Sequence, residues 1–375
     1  MKYLGIIMDQ KFKFKEHITY ITEKCTKMIH RLARAAKISW GIKHEAMKTI
    51  YTGAILPLLL YGAPVWFEAM KLEYNKRKII RIQRLINIRT AKAFRATSSE
   101  ALCIIAGITP ITIKIEEAVS LYKARESKNH QTPETDIAVK IKNWPHPADC
   151  ATIIEDDNIA DSTVQIYSDG SKSEAGVGSG SVIYIGNKIA KQLKFRLDSK
   201  CSNNQAEQLA ILKAIEEVGT INTPENSLRT LTVLTDSRIT IYSLKNLRNH
   251  AFLIQEIRKR VKNLQDSSWR IVFKWAKAHA GIIGNEIADK LAKQAAGSRQ
   301  TDIAYSRIPI SAIQDELKKI AIQRWQKEWD NCNKAMTTKQ YFPSVEQRLK
   351  KKIKISQNVT AMLTGQGLPS PFQDK

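Results

Sequence analysis

Four acidic residues, each in its own short motif, could do chemistry together. They are Asp169 in Tyr-Ser-Asp-Gly-Ser, Glu207 in Asn-Asn-Gln-Ala-Glu, Asp236 in Leu-Thr-Asp-Ser-Arg and Asp289 in Gly-Asn-Glu-Ile-Ala-Asp. Asp169 follows the alternating run Val164–Tyr167, which reads as a strand. Asp236 ends Leu231-Thr-Val-Leu234, a short apolar run of the kind covered on both faces. Glu207 opens a helix on the stripe of Ile211, Ala214 and Val218, and Asp289 borders the Ala292–Ala296 side of another. Gathering buried carboxylates is costly unless a cation neutralises them. Hard oxygen ligands then predict a divalent site for Mg²⁺, with Mn²⁺ able to substitute.

The elements that must position these acids follow in a definite order. A strand at about 163–169 precedes a glycine-punctuated strand over Ala175–Ile185, and Gly186-Asn187 is a hairpin signal leading to a third strand through Ile189, Leu193 and Phe195. A helix (203–218), a strand (230–236), one or two helices (238–265), a strand (270–275) and a last helix (284–296) complete the series. The order is β-β-β-α-β-α-β-α, an antiparallel meander joined to parallel crossover units. With the four acids, the Asp-Gly-Ser turn, the Asn-Asn pair before the glutamate and a histidine ten residues before the last aspartate, residues 161–298 closely resemble a type 1 ribonuclease H domain. The expected fold is α/β, a ribonuclease H-like mixed five-stranded sheet with flanking helices.

The resemblance implies roles residue by residue. Asp169 looks like the carboxylate that bridges two Mg²⁺ ions, Glu207 and Asp236 like further ligands of one ion, and Asp289 like the ligand of the other. Two such ions, about 4 Å apart, would serve in-line hydrolysis of the RNA strand of an RNA–DNA hybrid, leaving 3′-hydroxyl and 5′-phosphate ends. Telling RNA from DNA requires contact with the 2′-hydroxyl. Candidates are the backbone at Gly170 and Ser171, where glycine permits close approach, and the amides of Asn203 and Asn204. Ser202 and Asn203 have the alternative reading of helix caps. His279, in a loop with Gly281 and Gly284, looks like the family's proton-handling, product-releasing histidine. Trp269 and Trp275 read as packing, and Glu286 as a solvated helix position. Asp156-Asp157 resembles a polymerase acid pair but has no aromatic strand before it and sits in an acidic stretch, so that reading is rejected.

The whole chain has 375 residues, enough for two or three units, and a net charge of +24. Residues 1–100 carry 20 Lys/Arg against 7 Asp/Glu, which points to a polyanionic partner such as duplex nucleic acid. The five cysteines (25, 103, 150, 201, 332) lack metal-type spacing and read as reduced intracellular thiols, and no zinc site is expected. The apolar stretch Ala54–Phe67 is interrupted by Pro57, Gly62 and Pro64 and too short to span a bilayer, and no signal peptide opens the chain. The expectation is a soluble protein of the nucleus or cytoplasm with no membrane partner.

Residues 1–130 read as helical. Ile18, Ile21, Cys25, Met28, Ile29 and Leu32 form one stripe, a second helix covers 44–60, and a third, at 69–94, carries Lys76-Arg77-Lys78, Arg81, Arg84 and Arg89. Thr97 with Glu100 predicts a capping box. Lys-Tyr-Leu-Gly-Ile at 2–6 and Leu-Pro-Leu-Leu-Leu-Tyr-Gly-Ala-Pro-Val-Trp at 56–66 resemble the palm end and helical thumb of a jockey-like non-LTR retrotransposon reverse transcriptase, in which a ribonuclease H domain commonly follows. The polymerase aspartates that the resemblance would place before residue 2 are not in the chain, so no polymerase activity is expected. Residues 131–160 read as a linker with Pro133, Pro145 and Pro147, and 299–375 as a helical basic tail. In that tail Ser311 with Gln314 predicts a cap, Ile313, Leu317, Ile320, Trp325 and Trp329 a packing stripe, and Arg348–Lys354 either phosphate contacts or a solvated face. Leu363-Thr-Gly-Gln-Gly resembles the segment before a cysteine/histidine knuckle in such elements. Missing pieces at both ends would make the chain a fragment of an integrated element. The alternative function is a catalytically idle nucleic-acid-binding relic, and a different ribonuclease H-like nuclease or transposase fits the motifs less well.

Overall fold

The computed structural model describes residues 1–35, 43–126, 135–136, 143–156, 162–220, 229–277, 281–298 and 302–366. The chain divides into two compact units, one of Met1–Glu126 with Gln314–Lys375, the other of Ser127–Ile313.

The second unit is built on seven strands: β1 (Ile154–Glu155), β2 (Val164–Ser173), β3 (Gly176–Ile185), β4 (Lys188–Leu197), β5 (Thr230–Thr235), β6 (Arg270–Trp275) and β7 (Ile303–Tyr305). Their spatial order is β7-β4-β3-β2-β5-β6-β1. β2, β3 and β4 form the expected antiparallel meander, turned at Gly186 with φ of +57°, and β5 and β6 add in parallel to β2. The helices are α1 (Asn203–Val218), α2 (Arg238–Lys245), α3 (Phe252–Asp266) and α4 (Ile283–Gly297). The central five strands are those read from sequence. The two edge strands are the difference: β1 falls in the stretch read as linker and β7 in the stretch read as tail. Segments of two or three residues are too short to show a period, and they pair because the sheet offers open edges. Ile166, Val233 and Phe273 on the sheet pack with Leu209, Ile215, Ile257 and Val261 from α1 and α3 in one apolar core.

The first unit is helical. Its longest N-terminal helix, Lys15–Ala35, buries Ile18, Ile21, Cys25 and Ile29, as the stripe predicts. The expected helix at 44–60 contains a wide π turn over Tyr51–Ile55 between His44–Ile50 and Leu56–Leu60. The two motifs that resemble a palm end and thumb touch each other: Tyr61 Oη donates to the Leu4 carbonyl at 2.6 Å, and Trp66, fully buried, donates to the Tyr61 carbonyl at 2.9 Å. The cap of helix Ser99–Ala106 is Ser98, not Thr97; Thr97 is buried and bonds Gln366. Ser311 likewise lies inside helix Ile310–Asp330 rather than at its cap.

Residues 314–366 do not form a tail of their own. Trp325 and Trp329 are buried against Leu102, Ile104, Ile105 and Val345 in a shared core. Arg348, expected on a basic surface run, is buried and donates to the Ile105 carbonyl at 2.5 Å. No single described helix is long and apolar enough to cross a membrane.

Candidate active site

Asp169 sits in β2 just beyond the last residue paired with β5, Ser168 opposite Thr235. Asp236 follows Thr235 directly, so two neighbouring parallel strands present acids at the same end. The turn after Asp236 is fixed from two sides. Trp275 on β6 donates its indole N–H to the Asp236 carbonyl at 3.1 Å, and the Arg238 guanidinium lies 3.9 Å from the Trp275 ring centroid. Packing alone was expected of Trp275. Its polar role has no sequence signal, because it depends on β5 and β6 being neighbours.

Glu207 is delivered by the first turn of α1. Ser202 is the cap, its hydroxyl accepting from Gln205 N–H at 3.2 Å while Gln205 Oε1 accepts from Ser202 N–H at 2.9 Å. Asn203 therefore does not cap. Its amide donates to Glu207 Oε1 at 2.8 Å and orients this carboxylate, while the Ser237 hydroxyl is paired with Thr240. Asn204 is exposed. The close approach that Gly170 permits is to α1: a Cβ there would lie 2.6 Å from the Glu207 nitrogen and 2.9 Å from Ala206 Cβ.

Asp289 is brought in by a packing device that sequence reading noted only as glycine punctuation. Gly176, Gly178 and Gly180 alternate along β3, and Ala288, Ala292 and Ala296 recur every fourth residue along α4. A Cβ on Gly180 would meet the Ala288 carbonyl oxygen at 2.3 Å, and one on Gly178 the Ala292 oxygen at 2.4 Å. The helix backbone thus lies directly on the strand. Gly180 is in register with Asp169, so the residue after Ala288, Asp289, arrives beside the other acids. Its carboxylate is bonded by Lys293 one turn on, at 2.7 Å.

These placements couple the acids electrically. Burial raises the Asp169 carboxyl to about 7, helped by the charges of Asp236, Asp289 and Glu207, against the lowering effect of the Gly170 N–H at 2.7 Å. Burial also raises Glu207, with Asp236 adding to it and the Ser237 and Asn203 side chains opposing. Among the described residues no three His, Cys, Asp or Glu side chains already stand together as an ion-holding group. Glu207 is turned to Asn203, and Asp289 to Lys293. The donor set nevertheless fits a hard divalent cation, since it is all carboxylate oxygen and its mutual repulsion is what such a cation would relieve. His279 lies outside the described residues.

Residues 161–297 match the RNase H family model. The chain carries an RNase H domain. A Pol polyprotein of type-1 retrotransposable element R1 4 from Nasonia vitripennis is 30% identical over 129 residues, 34% of this chain and 32% of that protein. The RNA-directed DNA polymerase of mobile element jockey from Drosophila melanogaster is 35% identical over 100 residues, 26% of this chain and 10% of that protein. The chain therefore spans a third or less of the length of these relatives. Among solved structures, RNase H1 of the halophilic archaeon Halobacterium salinarum aligns over 35% of this chain and 96% of its own, at 21% identity and a TM-score of 0.28. Parts of the chain accordingly resemble parts of retrotransposon polyproteins of the R1 and jockey kinds, in keeping with the jockey-like reading of the sequence.

Proposed function

We propose that this RNase H domain hydrolyses the RNA strand of RNA–DNA hybrids within a retrotransposon-derived protein. The observation that carries the reading is the electrostatic coupling of Asp169 to Asp236, Asp289 and Glu207 at one end of the sheet. Buried acids perturbed by one another, as Asp169 and Glu207 are, cluster at functional sites. Asp169, Glu207, Asp236 and Asp289 would hold Mg²⁺, two ions in the full reading, with Mn²⁺ as a substitute. Bound divalent cations supply an activated water and charge stabilisation of the leaving oxygen.

The chain's own residues do the rest. Asn203 holds one oxygen of Glu207, so ion binding there starts from a set orientation. Lys293 keeps Asp289 partly neutralised and must yield when a cation enters. Ser171 and Asn204 flank the acids and are the surface groups suited to a 2′-hydroxyl; Gly170 acts by letting α1 approach. His279 would move the proton of the leaving group. Exposed Lys76 and Arg81 on helix Glu73–Thr90 are the cations suited to hold duplex phosphates.

The test is cleavage of a strand-labelled RNA–DNA hybrid by the full chain, with Mg²⁺ and with chelator. RNA cutting that needs both Mg²⁺ and the DNA partner is expected, and Asp169→Asn should abolish it. Equal cutting of single-stranded RNA would exclude the proposed specificity. Full activity of Asp169→Asn would exclude the proposed site. A protein that binds hybrid but never cuts it would be the idle relic, a reading favoured by the Lys293–Asp289 pair if that pair cannot open.

A further inference from the structure

Two stretches outside the matched RNase H segment close over the first turn of α1. Thr135–Asp136 pairs in parallel with Ile308–Pro309, and β7, just before, pairs with the end of β4. The connection is anchored in the core. Tyr305 is buried, its ring 6.4 Å from that of Phe252, and its carbonyl accepts from Asp198 N–H at 2.9 Å. The Arg307 guanidinium lies 3.7 Å from the Phe252 ring centroid.

Gln205 joins this flank to the helix cap. It is 4% exposed. Its Oε1 accepts from Ser202 N–H, completing the capping box, while its Nε2 donates to Asp136 Oδ2 at 2.6 Å and to the Arg307 carbonyl at 3.2 Å. The other Asp136 oxygen, Oδ1, is buried and meets no donor among the described residues, so the Gln205 amide is the hydrogen bond that holds this carboxylate. Carboxylate hydrogen bonds of this kind are stronger than neutral ones, and a part-buried carboxylate costs stability unless such donors meet it. Glu207 lies two residues beyond Gln205, and its backbone nitrogen is the atom that rests against Gly170.

We infer that the Asp136–Gln205 bond, backed by the flanking ladder, is a strap that fixes the first turn of α1 and so positions Glu207 to receive a divalent cation. Asp136 and Gln205 are positioning residues, and this role rests on the proposed function. A loosened first turn would let Glu207 swing from its place beside Asp169 and Asp236, weakening cation binding before it weakens hybrid binding.

The experiment uses the full chain with Asp136→Ala and the isosteric Asp136→Asn. Three quantities are read: the Mg²⁺ concentration for half-maximal cleavage, KM for hybrid, and metal-free amide exchange over 204–207. Loss of a group that supports a ligand typically weakens metal binding by about 10–100-fold. For Asp136→Ala the expected result is about a tenfold rise in the Mg²⁺ requirement, unchanged KM and faster exchange confined to that turn. Asp136→Asn, which keeps an acceptor oxygen, should fall between it and wild type. Should Asp136→Ala not fold, Asp136→Asn carries the test through the exchange rates. Wild-type exchange and an unchanged Mg²⁺ requirement in the variants would overturn the strap. If the wild-type chain cuts no hybrid, the proposed function fails, and the exchange rates with Mn²⁺ affinity still judge the strap alone.

Discussion

Asp169 is where the chemistry and the stability of this protein meet. Its carboxyl, raised from 3.8 to about 7 by burial and by three neighbouring acids, prefers to be protonated in the folded state. A raised carboxyl stabilises the fold below its unfolded pKa, and that contribution is lost as pH rises through the folded one. Metal-free protein should therefore lose thermal stability between about pH 4 and pH 7, with Glu207 contributing in the same direction. Asp169→Asn should flatten this decline. Melting curves across the window check it, and equal slopes for the two proteins would show that Asp169 does not carry the strain. His279→Ala belongs at the same scale. Loss of a positioned proton-transfer group costs on the order of 10²-fold in turnover, and here it should leave the Mg²⁺ requirement unchanged. A parallel loss of Mg²⁺ affinity would mean that the histidine serves as a ligand instead.

At the scale of elements, the site depends on how closely α4 can lie on β3. Gly180 leaves no room for a side chain beneath Ala288, so Gly180→Ala must lift the helix that carries Asp289. Overpacking of this kind costs about 1–3 kcal/mol, and the displaced carboxylate should lower cleavage even at saturating Mg²⁺. Gly297→Ala is the control, because a Cβ there meets nothing within 4 Å. Thermal unfolding and cleavage of the two variants separate a packing role from a general intolerance of substitution; equal behaviour would count against the packing account. The alternation of Gly176, Gly178 and Gly180 and the four-residue spacing of the alanines are both visible in the sequence. Their meeting is not, because it requires the strand and helix to be placed face to face.

For the whole molecule, the division of the chain changes how its positive charge is to be tested. Removing residues 1–130 would strip Leu102, Ile104 and Ile105 from Trp325 and Trp329, so a truncation would report unfolding of a shared core. Substitution in the intact chain avoids this. Arg84 is occupied by the carbonyls of Arg95 and Thr97, and Arg348 by that of Ile105, so neither is available to phosphate as it stands. Lys76 and Arg81 are exposed. Each phosphate contact contributes roughly 0.9 to the slope of log affinity against log salt for B-form duplex. Lys76→Gln with Arg81→Gln should thus flatten that slope by up to about two such contacts. Identical slopes would show that this helix does not hold nucleic acid.

The sequence by itself determined the four acids, their elements and the order of the central strands. Each acid stands in a local motif, and strand alternation, helix stripes and the Gly186-Asn187 turn are short-range properties of neighbouring residues. Capping was legible in kind but off by one residue at Ser98, since several hydroxyls in a row can compete for one helix end. What only the tertiary structure decided is everything that depends on distant segments meeting. The Trp275 bond to the Asp236 carbonyl, the Asp136–Gln205 bond and the burial of Arg348 each join residues that carry no mark of one another. A buried polar group takes whichever partner the fold brings within reach, and no local pattern records which partner that is.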